Sequence, residues 1–140
     1  AIRADEISMA ASKVSALKQV RADLVARQQE MARAGGFIMD GRDIGTVVLK
    51  DAEVKIFMTA SPEARAMRRY KQNIEKGIET SDVETIAEEI RKRDYDDTHR
   101  ENSPLRKADD ATEIDTSDMT IDEVVDRIYS LALPFLQKEE

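Results

Sequence analysis

The chain has 140 residues, 41% hydrophobic and 36% charged, with a net charge of −7. That size suits one domain with a core and that balance excludes disorder, while the acidic surplus argues against general nucleic-acid binding. Cysteine is absent and histidine occurs once, at His99, which excludes disulfides, thiolate zinc sites and a histidine metal cluster, and fits the cytoplasm.

No apolar run approaches a membrane span, and the N-terminus lacks the basic, apolar and small-residue order of a signal peptide. Residues Asp5–Ala34 read as helical. Ile7, Ala11, Val14 and Leu17 recur at helical spacing, and Val20, Leu24 and Met31 continue the stripe after a break near Lys18. Gly35 and Gly36 supply a stop. Phe37–Met39 is an apolar run bounded by glycines, and reads as a buried parallel strand.

Asp40-Gly41-Arg42-Asp43 follows at once, at the carboxyl edge of that strand, where open α/β sheets bind ligands. Arg42 is a forked donor suited to phosphate, and Asp40 and Asp43 are acceptors and candidate magnesium partners. The plain alternative for these four residues is a polar turn with an Asp–Arg pair. Val54–Met58, rich in β-branched and aromatic residues, reads as a second buried strand. Ser61, Pro62 and Glu63 then form a helix start, and that helix runs to about Lys76, with Gly77 ending it.

Ser81-Asp82-Val83-Glu84 reads as a capping box for the next helix, which carries Ile86, Ile90 and the RKRDYDD run. Pro104 closes that section. Ala111–Asp115 is weakly strand-like. Thr120-Ile121-Asp122-Glu123 is another capping box, starting a final helix with Val124, Val125, Ile128 and Leu131, which Pro134 should kink or end. The alternation of elements argues for an α/β fold, a parallel sheet covered by helices.

Charge is uneven: 11 of the 22 Lys and Arg lie between Arg65 and Lys107. A local basic region on an acidic protein suits a small anionic ligand. Arg65 and Arg69 share a helix face, with Arg68 beside them. Either a nucleotide triphosphate or carboxylates, Glu63 or Asp residues across the lid, would satisfy this trio. Arg93, Asp97 and Arg100 stand at i, i+4 and i+7, so that one carboxylate lies between two guanidiniums. Such a trio can grip a sugar hydroxyl and a phosphate; the plain alternative is a surface salt-bridge ladder. His99 reads as an exposed helix residue without a role.

DGRDIGTVV, followed by DAEVKIF and TAS and then by RD-x-x-D-x-x-R-x-x-SPL-x-x-ADDA, resembles the bacterial cytidylate kinases. The resemblance runs from about Ile2 to Ile128. It implies a P-loop nucleoside monophosphate kinase: a three-layer α/β core, a helical CMP-side section over 1–36 and a lid over about 77–109. It implies transfer of the γ-phosphoryl group of ATP, with Mg2+, to CMP or dCMP. Ser12, in ISMAASKVSALKQVRADL, and Arg21 match residues that meet the cytosine, and so does Asp43. Arg42 and Arg100 match the arginines on the CMP phosphate, and Arg93 and Asp97 the pair on the ribose. Arg65, Arg68 and Arg69, in some combination, match lid arginines on the ATP phosphates. Asp40 matches an aspartate that organises magnesium through water, with no direct metal ligand expected.

The sequence departs from the family: it contains no glycine-rich GK[ST] loop, and the family's early CMP-phosphate arginine and most of its monophosphate-binding section are also absent. It corresponds to roughly the C-terminal two-thirds of a cytidylate kinase, a single incomplete domain. In the family the P-loop strand lies between the strands matching Phe37–Met39 and Val54–Met58, so these two are expected to face a gap or to pair differently. The missing N-terminal segment is the partner this implies, with little activity expected of the isolated chain. The alternative reading is a non-catalytic module that binds CMP but not ATP.

Overall fold

The computed structural model describes residues 5–136, apart from the side chains of Asp5, Glu6, Ser8 and Ser12. Two helices come first, α1 over Asp5–Ser15 and α2 over Lys18–Ala32. The break falls at Leu17, whose backbone is extended (φ −66°, ψ 124°), close to the expected position. The expected stripe on α1 stays in solvent: Ile7 and Val14 are exposed, and so is Leu17 just past the helix. Gly35 and Gly36 both have positive φ, 73° and 66°, and turn the chain away from α2.

Phe37–Met39 is not a strand, contrary to the expectation above. Ile38 is 97% exposed and Phe37 47%. A strand exists only where a neighbour takes its backbone hydrogen bonds, and among the described residues the sheet has two strands, neither of them here. These are β1, Ile56–Thr59, and β2, Thr112–Asp115, paired in parallel with Ile56 opposite Thr112 and Thr59 opposite Asp115. Flanking bonds extend the ladder, from the Thr112 amide to the Lys55 carbonyl (2.9 Å) and from the Thr116 amide to the Thr59 carbonyl (2.8 Å).

Parallel neighbours need a long crossover. Here it is two helices, α3 over Pro62–Glu75 and α4 over Val83–His99. Ser61 caps α3, its hydroxyl accepting from the Ala64 amide at 3.1 Å, and Gly77, at φ 63°, follows its end. The cap of α4 is Asp82 and not Ser81: its carboxylate accepts from the Thr85 amide at 2.9 Å. A carboxylate has two acceptor oxygens, and the second takes the Thr85 hydroxyl at 3.0 Å.

α3 and α4 bury Ala66, Ile86 and Ala87 between them, with Tyr70, Val83 and Ile90 packed around. Alanines at this contact let the two helix backbones approach closely. Val48 and Ile114 are the other buried apolar residues among those described. The last helix, α5 over Ile121–Leu136, opens with a reciprocal capping box. The Thr120 amide donates to Glu123 Oε2 at 2.8 Å, and the Glu123 amide donates to Thr120 Oγ1 at 3.2 Å. Val124, Ile128 and Leu131 are half-buried, whereas Val125 is exposed. Pro134 falls in the last turn, and α5 continues two residues past it.

No helix among the described residues is long and apolar enough to cross a membrane.

Candidate functional site

The DGRD loop is held from two sides. Asp43 is 8% exposed, and its carboxylate takes an ion pair from Arg21 of α2. Arg21 also donates to the Ser15 carbonyl at 3.3 Å. The Asp43 carbonyl opens a single π-helical turn, Ile44–Val48, by accepting from the Val48 amide at 3.3 Å. Gln29, further along α2, donates to the Val48 carbonyl at the end of that turn (3.1 Å). Two side chains of α2 therefore clamp both ends of the segment after Arg42. Gly41 fits here because a Cβ at that position would lie 3.0 Å from Ile44 Cγ1.

On the other side stands Asp97 of α4, 6% exposed. A buried carboxylate needs cationic partners. Its Oδ2 takes the Nε–H of Arg42, and its Oδ1 lies 3.7 Å from Arg100. Arg100 does not continue the helical stripe. It is the residue after α4, in extended conformation (φ −68°, ψ 147°), because the chain turns here through Ser103 at φ 50°. The turn is tied back to the helix by the Leu105 amide on the Asp97 carbonyl, 2.7 Å, and Arg100 Nε donates to the Ser103 carbonyl, also 2.7 Å.

The result is a crowd of guanidiniums with too few carboxylates. Burial pushes the Arg93 guanidinium below its usual pKa, and the charge of Arg42 adds to the effect. Arg100 is pushed down likewise, by burial first and then by Arg21. An arginine keeps its proton regardless, so the strain is an excess of positive charge that an incoming anion would relieve. Three N–H positions make the same point: Arg21 Nε, Arg65 Nε and Arg100 Nη2 are buried without a hydrogen-bond partner. Unmade bonds of this kind are costly unless a ligand completes them.

Beside this cluster opens a cleft of about 220 Å³ lined by Arg42, Arg65, Arg69, Glu89, Ile90, Arg93 and Asp94. Arg42 and Arg93 belong to both, so the two regions are continuous. Arg65 pairs with Asp94 across the α3–α4 contact, one of the carboxylate partners considered for it from sequence. Arg68 goes elsewhere: it donates to Thr116 Oγ1 at 3.2 Å and to the carbonyls of Thr116, Ser117 and Met119. Asp40 is exposed, outside the cluster. Ser12 lies in α1, with its side chain outside the described residues.

The structure thus brings Arg21, Arg42, Asp43, Arg93, Asp97 and Arg100 together, with Arg65 and Arg69 at the adjoining cleft. Sequence reasoning missed Gln29, and it considered Asp residues as partners of the arginine trio without singling out Asp94. Asp94 stood in view in the RKRDYDD run, but its partner lies 29 positions away and only helix packing joins them.

The family model described as cytidylate kinase matches residues 1–133. Cytidylate kinases of Streptococcus pneumoniae strain 70585 and of serotype 4 strain TIGR4 are each 57% identical to the chain over 131 residues. The protein of that name from strain Hungary19A-6 is 56% identical over the same length. Each alignment covers 94% of this chain and 58% of the relative, so the chain spans less than two-thirds of the length of these relatives. With a family match over nearly the whole sequence and relatives 56–57% identical, the chain belongs to the cytidylate kinase family.

Proposed function

We propose that the chain forms the nucleotide-clasping part of a (d)CMP kinase, which transfers the γ-phosphoryl group of ATP to CMP or dCMP to give CDP or dCDP and ADP. The observation that carries this is the buried Asp97 between Arg42 and Arg100, next to the Arg21–Asp43 pair. In this reading Arg21, Asp43 and Ser12 meet the cytosine. Its amino group suits a carboxylate and its carbonyl suits a guanidinium. Uracil reverses two of these polarities and would leave buried groups unpaired.

Arg42 and Arg100 take the CMP phosphate, and Arg93 with Asp97 takes the ribose. Arg65 and Arg69 serve the ATP phosphates. The position of Arg68 against the carbonyls of the β2–α5 loop favours a supporting role for it. Direct phosphoryl transfer asks for alignment, charge neutralisation and exclusion of water, and no covalent intermediate is involved. We assign the last task to closure of the 77–109 segment, the lid. Mg2+ is assigned to the ATP phosphates as a counter-ion. Among the described residues no group of three or more acidic or histidine side chains is arranged to hold it, and Asp40 is given a water-mediated role only.

The 140 residues contain no GK[ST] phosphate loop, and β1 has β2 on one side only among the described residues. We propose that a segment carrying that loop pairs along the other edge of β1, that this chain by itself has little or no kinase activity, and that the enzyme works in the cytoplasm. Calorimetry tests the reading. CMP binds the chain and UMP binds at least tenfold more weakly, as a mismatch of buried hydrogen-bonding groups requires. Absence of CMP binding would overturn the assignment. Binding of CMP without ATP would reassign the isolated chain as a CMP-binding module.

A further inference from the structure

Arg65 is held differently from the other arginines of the cleft. Its two terminal nitrogens both donate to one carboxylate, that of Asp94: Nη1 to Oδ1 at 3.1 Å and Nη2 to Oδ2. Its Nε–H is buried and has no partner. The pairing therefore consumes one edge of the guanidinium and leaves the Nε–H unspent, on a residue that lines the cleft with Arg42, Arg69 and Arg93. An arginine on a long flexible stem must otherwise be ordered at the moment a ligand arrives, and a two-point carboxylate anchor removes that cost beforehand.

We propose that Asp94 is a positioning residue for the donor-phosphate side of the site, fixing Arg65 by its terminal nitrogens so that the Nε–H is kept for an oxygen of a triphosphate chain. The proposal rests on the reading above that this cleft takes the donor phosphates. The opposite role is a carboxylate standing in for phosphate and displaced by it. The two roles differ in sign. Removing an anchor weakens phosphate binding; removing a competitor tightens it.

The test is titration of the 140-residue chain with inorganic tripolyphosphate. It is followed by calorimetry and by the Arg65 Nε–H resonance, assigned with Arg65→Lys. In the wild-type chain that resonance shifts as tripolyphosphate binds. Asp94→Asn weakens binding about tenfold, the loss of one charge-assisted hydrogen bond, and Asp94→Glu restores part of it. CMP affinity stays the same in both variants. An Arg65 resonance that does not move, or an Asp94→Asn chain that binds tripolyphosphate as well or better, overturns the proposal. So does joint loss of CMP and tripolyphosphate affinity in Asp94→Asn, because Asp94 then serves the fold alone. Failure of the wild-type chain to bind CMP would instead count against the kinase reading.

Discussion

Arg91 and Arg93 lie two residues apart on α4 and live in opposite surroundings. Arg91 faces three carboxylates, Glu63 at 2.5 Å, Glu88 at 2.9 Å and Glu84 at 3.2 Å, and these hydrogen bonds raise its pKa. Arg93 sits among Arg42 and Arg69 as well as Asp97 and Asp94, and burial lowers its pKa. The first is a completed ionic hub joining α4 to the start of α3. The second carries a surplus of positive charge, which in the proposed function an anion neutralises. Surplus positive charge, more than the number of arginines, separates the surface of this helix proposed to face the nucleotide from its structural face.

The sharpest way to break that comparison is to remove the carboxylate at the centre of the incomplete cluster. Asp97→Asn leaves Arg42 and Arg100 without their shared counter-ion. Taking one partner from a buried pair costs about 3 kcal/mol. The expected outcome is a clear fall in the urea midpoint together with loss of CMP binding. A variant that folds with unchanged midpoint and binds CMP normally would show that Asp97 is not the keystone of the cluster.

Next in size is the direct contrast between the two arginines. Arg93→Ala removes a cation from a crowded site, so the folded chain is not weakened, but CMP affinity falls about tenfold with one charge-assisted hydrogen bond. Arg91→Ala leaves CMP affinity unchanged and lowers the thermal midpoint slightly, less so at high salt, as expected for exposed ion pairs. Calorimetry and melting on the same two proteins decide it. If both variants lose CMP affinity equally, the separation of the two faces is wrong.

Local chemistry made much of this fold readable in advance. A serine before a proline and a glutamate could only start α3, and Thr120 with Glu123 could only close a capping box. What was not readable depended on groups far apart in the chain. Phe37–Met39 has the composition of a strand but no strand beside it, and pattern cannot supply a neighbour. Asp82 displaced Ser81 as the cap of α4 because both are good caps one residue apart. At the site, the spacing of Arg93 and Asp97 gave their shared face. The turn through Ser103, the Arg65–Asp94 pairing and the diversion of Arg68 to the β2–α5 loop all needed the helices to be packed first.

The smallest effect is on pH, and its difference between wild type and Arg91→Ala reads the completed hub. The hydrogen bond from Arg91 holds the Glu63 carboxyl below its ordinary 4.5. A carboxyl with a depressed folded pKa stabilises the fold above its unfolded value and loses that contribution as pH falls through the folded one. Melting temperature should therefore decline below about pH 4.5, and the decline should be shallower in Arg91→Ala, where the contribution is already gone. Asp82, lowered from 3.8 by the Thr85 amide, and Glu123, lowered from 4.5 by the Thr120 amide, decline in both proteins alike. The difference between the two curves thus isolates the hub, and its screening by salt follows from the exposure of Glu63. Parallel curves would mean that Arg91 and Glu63 are not coupled in solution, and the contrast with Arg93 would then rest on the ligand-facing cluster alone.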